Sequence, residues 1–301
     1  MEINWKQIEL SDRDLIQGYY RQAKSLNCES AFANNYLWAP HYDMRYAVIE
    51  GMLVFLVRRE QASVSFPLGQ GDLRCVMDIL QAYFQERQEA FCMHLVSSEQ
   101  FARLEELYPG RFTIRYDRDV ADYVYESEKL ITLSGKKLHS KRNHINKFKE
   151  LHPDWAYEAI TDENTPACLR MAQEWRVLNG CDDDEEKHAE FCVTLNALRL
   201  RKELGLTGGL LRAEGRVVAF TLGEPGGSDD VFIVHIEKAY ADVQGAYPMI
   251  NQQFVEHEAA SYRYINREED TGAEGLRKAK QSYRPVMMVE KGIVTWQEKG
   301  L

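Results

Sequence analysis

The sequence predicts a mixed α+β protein, and three observations carry that prediction. Short apolar or alternating runs with strand character are separated by longer stretches whose apolar residues recur at helical spacing. Each half of the chain reads hairpin, strand, helix, strand. At 301 residues and 45% hydrophobic content, the chain can bury two domains or one large one. Charge narrows the function classes. Lys+Arg number 37 against Asp+Glu 47, a formal charge of −10, which excludes a generally basic DNA-binding surface and leaves only local patches. The longest purely apolar run, Met52 to Val57, is far short of the roughly 20 residues a membrane span needs. Residues 1–6 show no basic segment leading into an apolar core, so no signal peptide is expected and the reading is cytoplasmic. The cysteines form no C-x-x-C pair; Cys181, His188 and Cys192 lack a fourth ligand at sensible spacing, so no metal is assigned.

In chain order, Asp12 to Lys24 is a helix with Leu15, Ile16, Tyr19 and Tyr20 on one face. Tyr46–Ile49 and Met52–Arg58 flank Glu50-Gly51 as a hairpin. Ser63 to Gly69 reads as a third strand, Asp72 to Gln85 as a helix burying Val76, Ile79, Leu80 and Phe84, Phe91 to Val96 as a strand, and Phe101 to Tyr108 as a short helix. The second half opens with a strand at Trp155–Ile160, then a helix from Pro166 to Leu178 stopped by Asn179-Gly180. A helix from Glu185 to Leu204 follows; the acidic run 182–186 suits its N-terminal dipole. Next come a hairpin (Gly209–Arg212, Arg216–Gly223), a strand at Asp230–Lys238, a helix at Gly245–Ala260 and a strand at Tyr262–Ile265. A helix at Gly275–Tyr283 and a closing hairpin, Val286–Val289 with Ile293–Trp296, complete the chain. The repeated order divides it at about residue 118, into 1–118 and 119–301, with a basic connector at 134–150.

That element order resembles the GNAT acyltransferase superfamily, and several segments sharpen the likeness. They are Val234-His235-Ile236-Glu237-Lys238-Ala239 running to Tyr247, Tyr264-Ile265-Asn266-Arg267-Glu268, and Gly275-Leu276-Arg277 through Pro285, together with Ser134–Lys137 and Lys141–Phe148. They look like uncharacterised soluble relatives of the C-terminal domain of bacterial phosphatidylglycerol lysyltransferases. The resemblance covers nearly the whole chain and implies two GNAT-like domains in tandem, each a mixed sheet flanked by helices. It further implies an acyl- or aminoacyl-transferase that takes its group from acyl-CoA or aminoacyl-tRNA and passes it to an amine or hydroxyl, such as that of a phosphatidylglycerol-like lipid. No metal or redox cofactor is called for. The alternative is a binding or regulatory module that keeps the fold without the chemistry.

Candidate site residues follow from the residues and the resemblance together. His235 and Glu237 alternate onto one face of an apolar strand, where ionisable groups are costly unless paired or facing a cleft; such a pair suits proton removal from an attacking amine or hydroxyl. The competing reading is an internal network, with Glu237 paired to Lys238 or Arg267. Gln244-Gly245-Ala246 begins a helix, whose dipole and amides favour an anion, and by the resemblance it keeps part of the turn that holds coenzyme A pyrophosphate in GNAT enzymes; the alternative is a plain strand-to-helix turn that needs Gly. By the same resemblance Tyr283 protonates a leaving thiolate, the alternative being a ring packed against the sheet; Asn266, by its place just past a strand, either fixes a donor carbonyl or amide or caps a turn. Lys141 and Arg142, with Lys136, Lys137, Lys147, Lys149, His139 and His144, make a basic helical face that suits tRNA or lipid phosphates. A solvated face or ion pairs at the domain junction would use the same residues.

Overall fold

The computed structural model describes residues 2–59 and 61–297. Met1, where the segment read for a signal peptide begins, and 298–301, the end of the expected second domain, lie outside the described residues. One mixed sheet runs through the whole molecule. Its first-half strands are β1 (Lys6–Gln7), β2 (Arg45–Ile49), β3 (Met52–Val57), β4 (Ser63–Val64), β5 (Leu68–Gly69), β6 (Cys92–Ser97) and β7 (Phe112–Glu126). The second half adds β8 (Ala156–Ala159), β9 (Thr207–Ala213), β10 (Arg216–Pro225), β11 (Val231–Ala239), β12 (Tyr264–Asn266) and β13 (Met287–Trp296). Their order is β1-β2-β3-β4-β6-β13-β7-β12-β11-β10-β9-β8, with β5 paired to β3.

The flanking helices are α1 (Arg13–Ala23), α2 (Phe32–Tyr42), α3 (Leu73–Glu86), α4 (Ser98–Leu107), α5 (Ser127–Thr132) and α6 (His139–Leu151). They continue with α7 (Thr165–Leu178), α8 (Glu185–Arg199), α9 (Arg201–Leu204), α10 (Ala246–Glu258) and α11 (Glu274–Ser282). The β2–β3 hairpin turns on Glu50 and Gly51, both at positive φ (47° and 77°), the backbone that matches strand twist in a two-residue turn.

Several element expectations change, among them the helix expected over Glu185–Leu204, which divides into α8 and α9 at Leu200. The third strand splits into β4 and β5 around Pro67, which has no N–H for a ladder. The expected closing hairpin is one strand, β13, because Glu290-Lys291-Gly292 forms a register shift rather than a reversal. The residue-118 boundary falls inside β7, which runs unbroken from Phe112 to Glu126.

The C-terminal strand β13 lies between β6 and β7 and so closes the sheet across both halves. At that seam Lys291 is fully buried; its Nζ donates to Asp122 Oδ1 and Glu29 Oε1, both at 2.7 Å, and lies 3.5 Å from Cys28 Sγ. Cys28, Glu29 and Asp122 thus converge on an ammonium supplied by the chain itself. The main core mixes residues from both halves, including Ile16, Phe32, Tyr125, Phe232 and Ile265. A second core lies mostly within the first half, from Val54 and Phe84 to Leu104.

Candidate active site

β11 and β12 run parallel yet pair over only three residues, Val231↔Tyr264 to Ile233↔Asn266. Beyond Ile233 the strands part. β11 continues to Ala239, while the chain after Asn266 turns away through Glu268, at φ 57°. Side chains from five segments meet in the gap. Glu237 comes from β11 and Asn251 from α10, which packs over that face; Arg267 follows β12, Lys141 projects from α6, and Tyr283 ends α11.

Glu237 is held at both oxygens. Asn251 Nδ2 donates to Oε2 at 3.0 Å, and Arg267 Nη2 donates to Oε1 at 2.8 Å. The Arg267 side chain is only 10% exposed, with its guanidinium carbon 4.8 Å from the Tyr283 ring centroid and 5.7 Å from that of Tyr125. Lys141 Nζ stands 4.1 Å from the Tyr283 ring centroid, within cation–π range. Two atoms are left over: Arg267 Nη1 and Asn251 Oδ1 are buried with no hydrogen-bond partner among the described residues. Native interiors rarely leave such atoms unpaired, so each calls for an explanation.

The electrostatics separate the roles. Burial, reinforced by the Arg267 charge and opposed by Glu237, lowers the Lys141 ammonium to about 8. Lys141 makes no ion pair among the described residues and is half-buried. Burial raises the Tyr283 hydroxyl, against the pull of Arg267, so it keeps its proton and remains a donor. Glu237, bound to a guanidinium and an amide, is an oriented carboxylate.

The structure sorts the other expected site residues. His235 shares the face of Glu237, but the two do not pair. His235 Nδ1 lies 2.7 Å from Glu268 and Nε2 3.1 Å from Glu224. Burial alone would lower it, but the hydrogen bonds and charges of Glu224 and Glu268 lift it to about 10, so it is an imidazolium clamped between carboxylates rather than a free base. Glu224 also accepts the backbone N–H of Ala33 in the first turn of α2, tying the clamp to the first half. Asn266 is fully buried, donates to Leu26 O and Asp122 Oδ2, and accepts from the Glu268 N–H. Its amide is spent on the seam between the halves rather than on a donor carbonyl.

Gln244, Gly245 and Ala246 do begin α10, and no side chain caps it. The glycine, however, is required by packing: at φ 86°, a Cβ would sit 2.3 Å from the His144 carbonyl oxygen and 2.9 Å from Phe148 Cβ of α6. Arg142 Nη1 donates to Leu133 O and, at 2.9 Å, to Gly135 O. With Gly135, Lys136 and His139 it lines an open hollow of about 390 Å³ at the start of α6. Lys141, Glu237 and Tyr283 are therefore brought together, whereas His235, Asn266 and Arg142 are engaged elsewhere. Asn251 carries no signal in the sequence. Arg267 stands in the Tyr264–Glu268 motif, where a cation next to a partner-seeking Glu237 was the available clue.

Residues 20–294 match the family model described as the C-terminal part of phosphatidylglycerol lysyltransferase. The chain belongs to this phosphatidylglycerol lysyltransferase C-terminal family. It is 42% identical, over 98% of its length and 100% of the other chain, to a conserved protein of unknown function from Bacteroides thetaiotaomicron, at TM-score 0.94. The L-PGS of Bacillus licheniformis has the same fold, with TM-score 0.66 and 14% identity over all of this chain and 96% of that one. An uncharacterised protein of Mycoplasmoides gallisepticum is 22% identical over 60% of this chain, and the alignment spans 59% of that protein. The expected mixed sheet flanked by helices is present, and it is shared with the L-PGS fold. No described helix is long and apolar enough to cross a membrane.

Proposed function

We propose that this family member is an acyl- or aminoacyl-transferase whose chemistry takes place where β11 and β12 part, and that its two halves are GNAT-like domains in tandem. The observation that supports the site is the convergence of Glu237, Asn251, Lys141 and Tyr283 on one buried guanidinium, with a donor and an acceptor atom left unpaired. In this reading Glu237 orients the nucleophile. Neutral Lys141, accessible near pH 8, takes its proton, and the Tyr283 hydroxyl supplies one to the leaving group. No metal enters the scheme.

The donor best matched to the family is an aminoacyl-tRNA, and the acceptor a hydroxyl or amine such as a phosphatidylglycerol headgroup. The basic stretch leading into α6, with Lys136, Lys137 and His139 exposed, offers phosphates a docking surface in the cytoplasm. The test uses the full chain with lysyl-tRNA and phosphatidylglycerol vesicles, and separately with acyl-CoA and an amine. Turnover of one donor that falls about 100-fold or more in Glu237→Gln supports the reading. No turnover of either donor by folded protein overturns it in favour of a non-catalytic module.

A further inference from the structure

We propose that Cys192 is a reactive thiol, served by His188 and Asp182, that exchanges with small neutral or cationic disulfides. It stands apart from the transfer site and does not depend on it. The chain carries six cysteines, and the fold sorts them. Cys28, Cys92, Cys168 and Cys181 are buried, and burial raises each of their thiols, which keeps them protonated and inert. Cys75 and Cys192 are exposed. Of the two, Cys192 is the one with an imidazole at its sulfur among the described residues, its Sγ lying 3.6 Å from His188 Nε2. Cys181, close to this pair in sequence, is shut in the core and takes no part.

His188 and Cys192 are four apart on α8, the spacing that brings side chains together on one helix face. Asp184 fixes the start of that helix, its Oδ1 accepting the Glu186 and Lys187 N–H groups at 3.0 and 3.1 Å. On the other side of the ring, His188 Nδ1 lies 3.8 Å from Asp182 Oδ1, and Asp182 is itself held by Arg176 Nε at 2.6 Å. Thiol, imidazole and carboxylate are thus joined through the two nitrogens of one ring, the order in which a base is oriented to take a nucleophile's proton. The His188 and Asp182 side chains are 51% and 56% exposed, so solutes reach the group. As His188 Nε2 takes the thiol proton, Sγ attacks one sulfur of the incoming disulfide. Its S–S bond breaks, Cys192 is left in a mixed disulfide, and the other half departs as a thiolate that recovers the proton from His188. One disulfide replaces another, so no separate oxidant is consumed. Charge selects the partner: the acidic run Asp182–Glu186 lies beside the sulfur's base and repels an anionic disulfide.

The test treats the full chain with cystamine, hydroxyethyl disulfide and glutathione disulfide, which are cationic, neutral and anionic, and times each cysteine by peptide mass spectrometry. Cystamine should modify Cys192 fastest and glutathione disulfide slowest, and high salt should narrow the spread. With the neutral reagent, His188→Gln should slow Cys192 about tenfold and Asp182→Asn about threefold, while Cys75 in the same molecules keeps its rate. The exposed neighbour Lys187→Gln should leave Cys192 within about twofold of wild type. The four buried cysteines should stay unreacted in every variant, which shows the fold intact. In guanidinium, wild type and His188→Gln should react alike at Cys192. Faster reaction with glutathione disulfide than with cystamine overturns the proposal. So does an unchanged Cys192 rate in His188→Gln, or equal slowing by Lys187→Gln and His188→Gln.

Discussion

The molecule contains the same strand–helix–strand unit twice, and only the second copy gathers charged and unpaired polar groups in its gap. In the first half, β4 and β6 run parallel around α3 and pair at a single position, Val64↔Met93. Their gap is bridged by neutral groups: Ser63 Oγ lies 2.9 Å from His94 Nδ1, and burial lowers that histidine to about 4 against the opposing Ser63 bond, so it stays uncharged. The start of α3 is closed by its own side chain, Asp72 Oδ1 accepting from the Arg74 and Cys75 N–H groups at 2.9 and 3.3 Å. In the second half, β11 and β12 part around α10, whose start has no side-chain cap, and the gap holds Glu237, Arg267 and Lys141 with two polar atoms unpaired. The polar groups of the first splayed pair satisfy one another, whereas those of the second leave two atoms over.

The largest expected contrast is in stability. Arg267→Met leaves Glu237 buried without its cation and should cost about 3 kcal/mol or more in urea unfolding. Ser63→Ala removes a neutral hydrogen bond and should cost about 1 kcal/mol. Equal losses would mean that the second gap stores no uncompensated charge.

A second contrast is one of sign. His235 is raised to about 10 in the fold, so its contribution is full below pH 6.5 and is lost as pH rises toward 10. His94 is lowered to about 4, so its contribution is full above pH 6.5 and is lost as pH falls toward 4. Urea midpoints from pH 4 to 10 should therefore show His235→Gln flattening the alkaline limb and His94→Gln the acid limb. The smallest effect belongs to the helix starts. Asp72→Ala should destabilise by about 1 kcal/mol with no change in activity, as loss of a self-contained cap requires.

Much of the second half was legible because its hydrophobic runs are periodic and bounded. β11, α10 and α11 lie within a residue or two of where Asp230–Lys238, Gly245–Ala260 and Gly275–Tyr283 put them. β7 was not, because its solvent-facing stretch Thr113–Val120 alternates Arg, Asp and Tyr with few apolar residues, and its pairing with β13 comes from the far end of the chain. α2 was missed because Pro40 and two asparagines obscure a helix that tertiary packing stabilises. At the site, Glu237 and Tyr283 were visible as an ionisable group on an apolar strand and a tyrosine ending a helix. Their meeting with Asn251 and Lys141 depends on the contact between α6 and α10, which no local pattern encodes. His235 misled for a related reason, since its partners Glu224 and Glu268 lie on separate segments and become neighbours only in the folded sheet.

The comparison between the two units is tested most directly by measuring transfer rates for Tyr283→Phe and Ser63→Ala side by side with the donor that the wild type consumes. If the second gap alone carries the chemistry, Tyr283→Phe loses about 100-fold or more in kcat while Ser63→Ala stays within about twofold of wild type. A comparable loss in Ser63→Ala, or full activity in Tyr283→Phe, would contradict it.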